Sequence, residues 1–400
     1  MDPQSPRVSR AVWYCPSVRV LVDYRPALRK RSGIGEYTHQ LVKALLAAFP
    51  RDAPDAPLDI ALFSSSWKDR LQLAGGDLAG VDAIDRRVPV RVLNYAWHRL
   101  GWPAAEWLTG RSFDVTHSPH PLILPSRRAA HVVTIADLNF LAHPERTRAE
   151  VRRDYPALVR SHAHRADQIV VISRFTAGEV ERQLGVPSDR ISICMPGAPD
   201  WTARAAAPPD GYVLFFGTLE PRKNVGALLD AYEALAARRR QIPRLVLAGQ
   251  TTVASRPWLD RLARPPLSGV ARHIGYVDPG KRREVYEGAR LLVQPSFEEG
   301  FGMTALEAMT LGVPVVAANR GALPEVVGDA GALVDPDAPE ELASAIERLL
   351  DDPAFAAACA SKGPLRARQF RWDLTARRVY EAYRQAVRRR AQRGAREDRN

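Results

Sequence analysis

Short unbroken apolar runs alternate along this chain with longer stretches whose apolar residues recur every three or four positions. "VRVLVDY" (18–24) predicts a strand buried on both faces, and "GEYTHQLVKALLAAF" (35–49) predicts the helix that follows it. Further strands with their exits are expected at 58–66, 114–119, 131–138 and 168–175. Helical stretches separate several of them, which implies a parallel sheet covered on both faces. The segment 196–211, "PGAPDWTARAAAPPDG", has no period and is rich in proline, alanine and glycine, as linkers are. Beyond it the alternation restarts. Strands are expected at 212–218, 244–249, 273–277, 289–296, 313–319 and 331–335, with helices at 224–240 and 339–352. The fold class is therefore α/β, with two doubly wound parallel sheets joined by a linker. A last helix, 372–390, carries Leu374, Val379, Tyr380 and Tyr383 on one stripe. That stripe needs a surface to cover, and the cleft side of the first domain is the expected one.

The totals agree with this picture. A chain of 400 residues is long enough for two separate cores, and 46% hydrophobic with 26% charged residues is ordinary for a folded soluble protein. No apolar run approaches the roughly 18 residues that span a bilayer. The opening "MDPQSPRVSR" lacks the apolar core of a signal peptide, so a cytoplasmic location is expected. Cys15, Cys194 and Cys359 lie far apart with no CxxC pair, which fits buried free thiols better than zinc ligands or disulfides.

The formal net charge of +12 favours anionic partners. Basic residues crowd 146–167 and the tail 388–400, where the plain reading is solvated helix faces and a frayed end. Neither stretch interleaves aromatics as nucleic-acid modules do, so nucleic acid is set aside. An anionic membrane surface is the stronger functional candidate.

Chemistry concentrates in "PSFEEGFGMTALEAMTLGVPVVA" (295–317), which reads as a strand exit, a glycine-rich turn and a helix ended by Gly312 and Pro314. Such a turn lies at the carboxyl edge of a parallel sheet, where open α/β folds bind ligands. The first helical N–H groups, from about Met303 through Thr304 to Ala305, have no backbone partner and favour an anion. Gly300 and Gly302, on either side of Phe301, let a ligand approach the main chain. A nucleoside diphosphate suits this arrangement. Its phosphates would face the helix end, its ribose Glu307, and a hydroxyl-rich group beyond them Glu299. The competing readings are a capped helix with incidental acids and a glycosidase carboxylate pair, and the second has no need of a helix terminus between its acids.

The turn "GTLEPRKN" opens the second sheet at the same edge, so Arg222 and Lys223, with Thr218 nearby, are expected to converge on those phosphates. Each charge-assisted contact to phosphate is worth roughly 1.5–3 kcal/mol. In "RSGIGEYTHQ" (31–40), Gly33 and Gly35 begin a dinucleotide-like turn, but Thr38 stands at the third glycine and strand two ends in serines. NAD is therefore not expected, and the turn should face the cleft near the donor phosphates or the acceptor. "VDPD" (334–337) predicts turn and helix-cap duty rather than a metal site, and no other cluster has ligand spacing. Ser173 or Thr176 should cap the helix after 168–175, Thr176 with Glu179 forming a capping box. His117 and His120 are the best-placed histidines for the cleft.

Together these residues resemble glycosyltransferase family 4, retaining enzymes of the GT-B fold with two Rossmann-like domains. "EGFGMTALEA" with its E-x7-E spacing, "GTLEPRKN", "GIGEY", "VVISRFT", "PGA" at 196–198 and "RWDLTA" at 371–376 stand in the family's order over about residues 18–388. The details most resemble bacterial mannosyltransferase-like members acting on surface polysaccharides.

The resemblance implies a flexible N-terminus (1–16) and an acceptor-side domain (17–198). It implies a linker (199–211), a nucleotide-sugar domain (212–371), a helix crossing back onto the first domain (372–388) and a flexible basic tail (389–400). It implies Glu299 at the donor hexose, Glu307 at the ribose, Arg222 and Lys223 at the diphosphate, and main chain near Tyr276 and Val277 beside the base. The donor would be GDP-mannose or a UDP-sugar, the acceptor a glycan or lipid-linked glycan, with no cofactor or metal required. One position departs. Where the family usually shows His-Asp after the fourth strand, this chain has Ala136-Asp137, leaving Asp137 as the acid there. That change motivates a competing reading, a catalytically silent nucleotide-sugar-binding or scaffolding relative.

Overall fold

The computed structural model describes residues 17–397 apart from 29–30, 32, 52, 54–55, 74–75, 145–148 and 240, and no side chains at 149–154 or 397. The expected flexible segment 1–16 and Cys15 lie outside these residues. Cys194 and Cys359 are buried and unpaired.

Seven strands form the first sheet: β1 (Val18–Asp23), β2 (Leu58–Ser65), β3 (Asp82–Arg86), β4 (Val115–Ser118), β5 (Ala130–Ile135), β6 (Gln168–Val171) and β7 (Ile191–Ile193). Their order is β3-β2-β1-β4-β5-β6-β7, and every pairing is parallel. Six more form the second: β8 (Tyr212–Phe216), β9 (Leu245–Ala248), β10 (Ala271–Gly275), β11 (Ala289–Gln294), β12 (Val315–Ala318) and β13 (Ala332–Val334). Their order, β10-β9-β8-β11-β12-β13, is again all parallel. In each sheet the chain starts centrally and reverses direction of growth once, which opens a crevice at the carboxyl ends of the central strands.

Burial on both faces explains the unbroken apolar runs. In β1, Val20 and Val22 face a cluster containing Tyr37, Leu41 and Leu45 of the Ile34–Ala48 helix. Leu21 points the other way, toward Phe63 and Trp97. β3 and β7 were absent from the expected strands. Both are short edge strands, and "DAIDR" is charged along a solvent-facing edge, so neither carries an apolar run.

The C-terminal helix spans Trp372–Glu397, running past the end expected at 390 from its pattern and at 388 from the resemblance, and it packs on the first domain beside the Ile34–Ala48 helix. Tyr383 Oη meets His117 Nδ1 at 2.7 Å, Tyr380 stacks on Phe49 with centroids 4.2 Å apart, and Thr375 donates to the Met195 carbonyl. Of the expected stripe, Leu374 is instead exposed, and Ala376 is buried in its place beside Val379. The basic residues beyond 388 stay helical, and three of them are held by the first domain: Arg389 by Asp189 at 2.9 Å, Arg393 by Asp167 at 3.3 Å, and Arg390 by the Arg127 carbonyl at 2.9 Å.

The two domains meet through paired caps. Ser173, not Thr176, is the N-cap of the Arg174–Leu184 helix and accepts from the Thr176 N–H. Glu325 of the second domain accepts from the Arg174 and Phe175 N–H groups at 3.2 and 3.0 Å. Thr176 Oγ1 donates to the carbonyls of Ala136 and Gly300, one from each domain. The expected Thr176–Glu179 box does not form because Thr176 is itself the third helical residue. Asp335 and Asp337 serve the turn before the Pro339–Asp351 helix by holding Arg320, while Ala338 is the N-cap and gives no side-chain bond.

Candidate active site

A cleft of about 490 Å³ separates the two sheets' carboxyl edges. From the second domain it is lined by the exits of β8 and β9, by Tyr276 and Val277 after β10, and by residues 299–304 after β11. From the first domain it takes Arg31, Gly33 and Ile34 after β1, His120 after β4, and Ala136 and Asp137 after β5.

The glycine-rich turn behaves as its composition requires. Gly302 has φ +114° and starts the Met303–Thr310 helix with no side-chain cap, which leaves the first N–H groups facing the cleft. At Gly300 a Cβ would stand 1.8 Å from the Ala136 carbonyl oxygen. Only glycine lets the two domains touch at this point.

Glu299 is 6% exposed and stands at the centre of a polar knot. Lys223 Nζ lies 2.5 Å from its Oε1, and Arg222 Nη1 3.4 Å from its Oε2. Ser296 Oγ and Gln294 Nε2 also donate to Oε1, at 2.7 and 3.0 Å. Thr304 Oγ1 in turn donates to Gln294 Oε1 at 2.9 Å, which ties the helix start to the acid. Burial opposes ionisation of Glu299, but Lys223 and Arg222 outweigh it and hold the carboxyl down at about 2. Burial would likewise lower the Arg222 pKa, yet Glu299, Asp137 and Glu220 together raise it. The Phe297 N–H donates to the Arg222 carbonyl at 2.9 Å, so the two turns are stitched together by main chain as well.

Glu307 is arranged differently from expectation. It is buried behind the cleft wall, and Arg282 Nη2 grips both its oxygens, at 2.6 and 2.7 Å. Tyr286 Oη donates to Oε2 at 2.7 Å. Burial raises the Glu307 carboxyl, with Arg282 and Tyr286 pulling the other way. The group that faces the cleft is therefore Arg282, whose guanidinium lies 5.4 Å from the Phe216 ring centroid. Its Nη1 is 4.0 Å from Glu36 Oε2 of the first domain, an oxygen that is buried without a hydrogen-bond partner.

Of the residues singled out from sequence, Gly33, Asp137, Thr218, Arg222, Lys223, Val277, Glu299, Gly300, Phe301, Gly302, Met303 and Thr304 all line this one cleft. Gly35 does not. It sits inside the Ile34–Ala48 helix, where a Cβ would come 2.5 Å from the Pro26 carbonyl oxygen, so its role is close packing. His117 is buried under Tyr383, away from the cleft, whereas His120 lines it with Nε2 3.1 Å from Asp23 Oδ2. Arg282, Gln294 and Arg31 were missed. Gln294 carried a signal, a polar residue closing an apolar strand at its carboxyl end; "GKRREVYE" around Arg282 carried none.

Two parallel-sheet α/β domains across a cleft, with the last helix folded back onto the first, make this a GT-B protein. Sucrose-phosphate synthase from Thermosynechococcus elongatus superposes with a TM-score of 0.74 at 21% identity, over 92% of this chain and 99% of that one. The Anabaena protein HepE, solved in complex with UDP and glucose, superposes with a TM-score of 0.66 at 18% identity over the same shares. The profile of the family described as "Glycosyl transferases group 1" matches residues 210–352. An O-antigen chain mannosyltransferase B of Escherichia coli is 30% identical over 392 residues, 92% of this chain and 99% of that protein. The chain belongs to the group 1 glycosyltransferases, and it is an enzyme of glycan synthesis.

Proposed function

We propose that this enzyme transfers a hexose, mannose or a close relative, from a nucleoside diphosphate sugar to a glycan or lipid-linked acceptor, with retention of anomeric configuration. The observation that carries the reading is the convergence of Arg222 and Lys223 with Glu299 at the uncapped amino end of the Met303–Thr310 helix. A diphosphate entering there meets two cations and a row of main-chain N–H groups. HepE's complex with UDP and glucose, and the O-antigen mannosyltransferase relative, support this class of donor and product.

In this mechanism the sugar–phosphate bond lengthens while Arg222, Lys223 and the helix end take up the charge growing on the leaving diphosphate. The departing phosphate oxygen, on the same face of the sugar, accepts the acceptor hydroxyl's proton as the new glycosidic bond forms. No side-chain base is needed, and the diphosphate's charge is met without a metal. Glu299, already ionised and held by Lys223 and Ser296, presents its outer edge to the hexose hydroxyls. Ribose hydroxyls reach Glu307 when Arg282 turns from it toward Glu36, whose Oε2 is 4.0 Å away and is otherwise met, among the described residues, only by Arg31 Nε, at 3.7 Å. On the acceptor side stand Asp137 and His120, with Ala136 at the position where the family resemblance led to the expectation of a histidine.

Ala136 also motivates the second reading, a protein that binds a nucleotide sugar without turning it over. A thermal-shift panel of GDP-, UDP-, dTDP- and ADP-sugars identifies the donor. Incubating that donor with glycan acceptors, and reading the product anomer by NMR, separates the two. Retained-configuration product supports transfer; an inverted product removes the retaining mechanism. A donor that stabilises the protein but stays intact with every acceptor, water included, supports the silent reading.

A further inference from the structure

Two arginines and two glutamates meet where the exits of β1 and β10 face each other, a place also joined by the bond from Tyr276 Oη to the Arg31 carbonyl at 3.3 Å. Both oxygens of Glu307 are taken, by Arg282 Nη2 and, at Oε2, by Tyr286 Oη as well. Glu36, in the first turn of the Ile34–Ala48 helix, is filled on one side only. Gln40 Nε2, one turn further along, donates to its Oε1 at 2.8 Å. Its Oε2 is buried and has no hydrogen-bond partner among the described residues. Arg31 Nε at 3.7 Å and Arg282 Nη1 at 4.0 Å approach that oxygen from the two domains, both beyond hydrogen-bond distance. Arg282 Nε is buried and lacks a hydrogen-bond partner among the described residues too.

These positions set a condition on any ligand of Glu307. A hydroxyl that bonds to Glu307 must displace part of the Arg282 grip, and a buried guanidinium left without its counter-charge is strongly unfavourable. Glu36 is the carboxylate that Arg282 already approaches. A shift of roughly 1 Å brings Nη1 to charge-assisted hydrogen-bond distance of Oε2. Gln40 holds the Glu36 carboxylate, and buried Tyr37 and Thr38 fix the backbone beside it, so the arginine is the part that moves. The same shift fills the orphaned Glu36 oxygen, which favours it a second time. Burial works against the charge on Arg282, but Glu307 and Glu36 both raise its pKa, so it is a cation.

We infer that Glu36 is a positioning residue for the donor: it receives Arg282 when the ribose takes Glu307, so that a side chain of the first domain sets nucleotide affinity in the second. This role deepens the nucleotide-sugar reading and rests on it. Its effect is selective. A ligand that engages Glu307 needs Glu36 to take up the displaced cation, whereas a ligand confined to Arg222, Lys223 and the helix end does not.

Calorimetry on the full chain with UDP, GDP and inorganic pyrophosphate, in wild type and Glu36→Gln, tests the role. The amide keeps the side chain's shape and can still accept from Gln40, but it cannot neutralise Arg282. UDP or GDP, whichever the wild type binds more tightly, should bind the variant about tenfold more weakly. Pyrophosphate, which carries no ribose, should bind both proteins alike. If Glu36→Gln fails to fold by circular dichroism, Glu36→Asp, which keeps the charge but draws it back by one carbon, should show the same selective loss. Equal nucleotide affinity in wild type and folded variant overturns the role and leaves the nucleotide-sugar reading standing. So does an equal loss for nucleotide and pyrophosphate, which would make Glu36 a residue that merely shapes the cleft. A wild type that binds neither nucleotide overturns the nucleotide-sugar reading and this role with it.

Discussion

Glu299→Gln tests the electrostatic core of the site through stability rather than activity. The substitution keeps the side chain's shape and its capacity to accept from Ser296 and Lys223, and removes only the negative charge. The carboxyl is held near 2 in the folded protein against an ordinary value of 4.5. At about 1.4 kcal/mol per tenfold change in proton affinity, this ion knot contributes about 3 kcal/mol at neutral pH. That agrees with the roughly 3–5 kcal/mol usually lost when one partner of a buried pair is removed.

The sign fixes the pH dependence. A carboxyl made more acidic by folding stabilises fully above 4.5, and loses that contribution as pH falls toward 2. Of the 3 kcal/mol, roughly 1 should remain at pH 3. Urea unfolding followed by tryptophan fluorescence, with the second domain's transition resolved, measures the difference between wild type and variant at pH 7, 5 and 3. A gap of about 3 kcal/mol that narrows toward pH 3 is expected. A gap that stays constant across this range, or is negligible at pH 7, would refute the claim that Glu299 is an ionised, buried partner of both cations.

Further outcomes follow from the same geometry. Arg222→Ala and Lys223→Ala should each lower kcat by about tenfold or more while the fold persists; near-wild-type turnover in both would remove the leaving-group stabilisation. Gly300→Ala sets a methyl 1.8 Å from the Ala136 carbonyl oxygen. The domains must part there, so kcat should fall about tenfold and small-angle scattering should show a larger radius, whereas an unchanged kcat would show that the contact is dispensable. Glu307→Gln strands buried Arg282, costing about 3–5 kcal/mol of stability, and should weaken GDP or UDP binding by calorimetry about tenfold. Unchanged affinity would mean that Glu307 never reaches the nucleotide.

Several features were legible before any fold was known because they are local. Apolar runs of strand length bounded by glycine and proline report double-sided burial, so both sheets and the linker could be read. The Gly-Phe-Gly turn and the uncapped helix after it follow from backbone needs at Gly300 and Gly302. β3 and β7 escaped because edge strands need no apolar run. The expected stripe of the last helix erred at Leu374 because a helix's first turn can stand clear of the surface that the rest covers.

The chain's own pattern thus determined two doubly wound domains, a segment without period between them, and a turn rich in glycine and acid at the edge of the second sheet. Tertiary structure alone decided which charge meets which. Lys223 and Glu299 are 76 residues apart, Arg282 and Glu307 25 apart, and no periodicity links either pair. Strand order brings β8 beside β11, and the Arg282–Glu287 helix reaches the Met303–Thr310 helix through the bonds of Arg282 and Tyr286 to Glu307. Burial then leaves each carboxylate too costly to ionise without its own cation. That competition for counter-charges, resolved only in three dimensions, left Glu299 in the cleft wall and put Arg282 in front of Glu307.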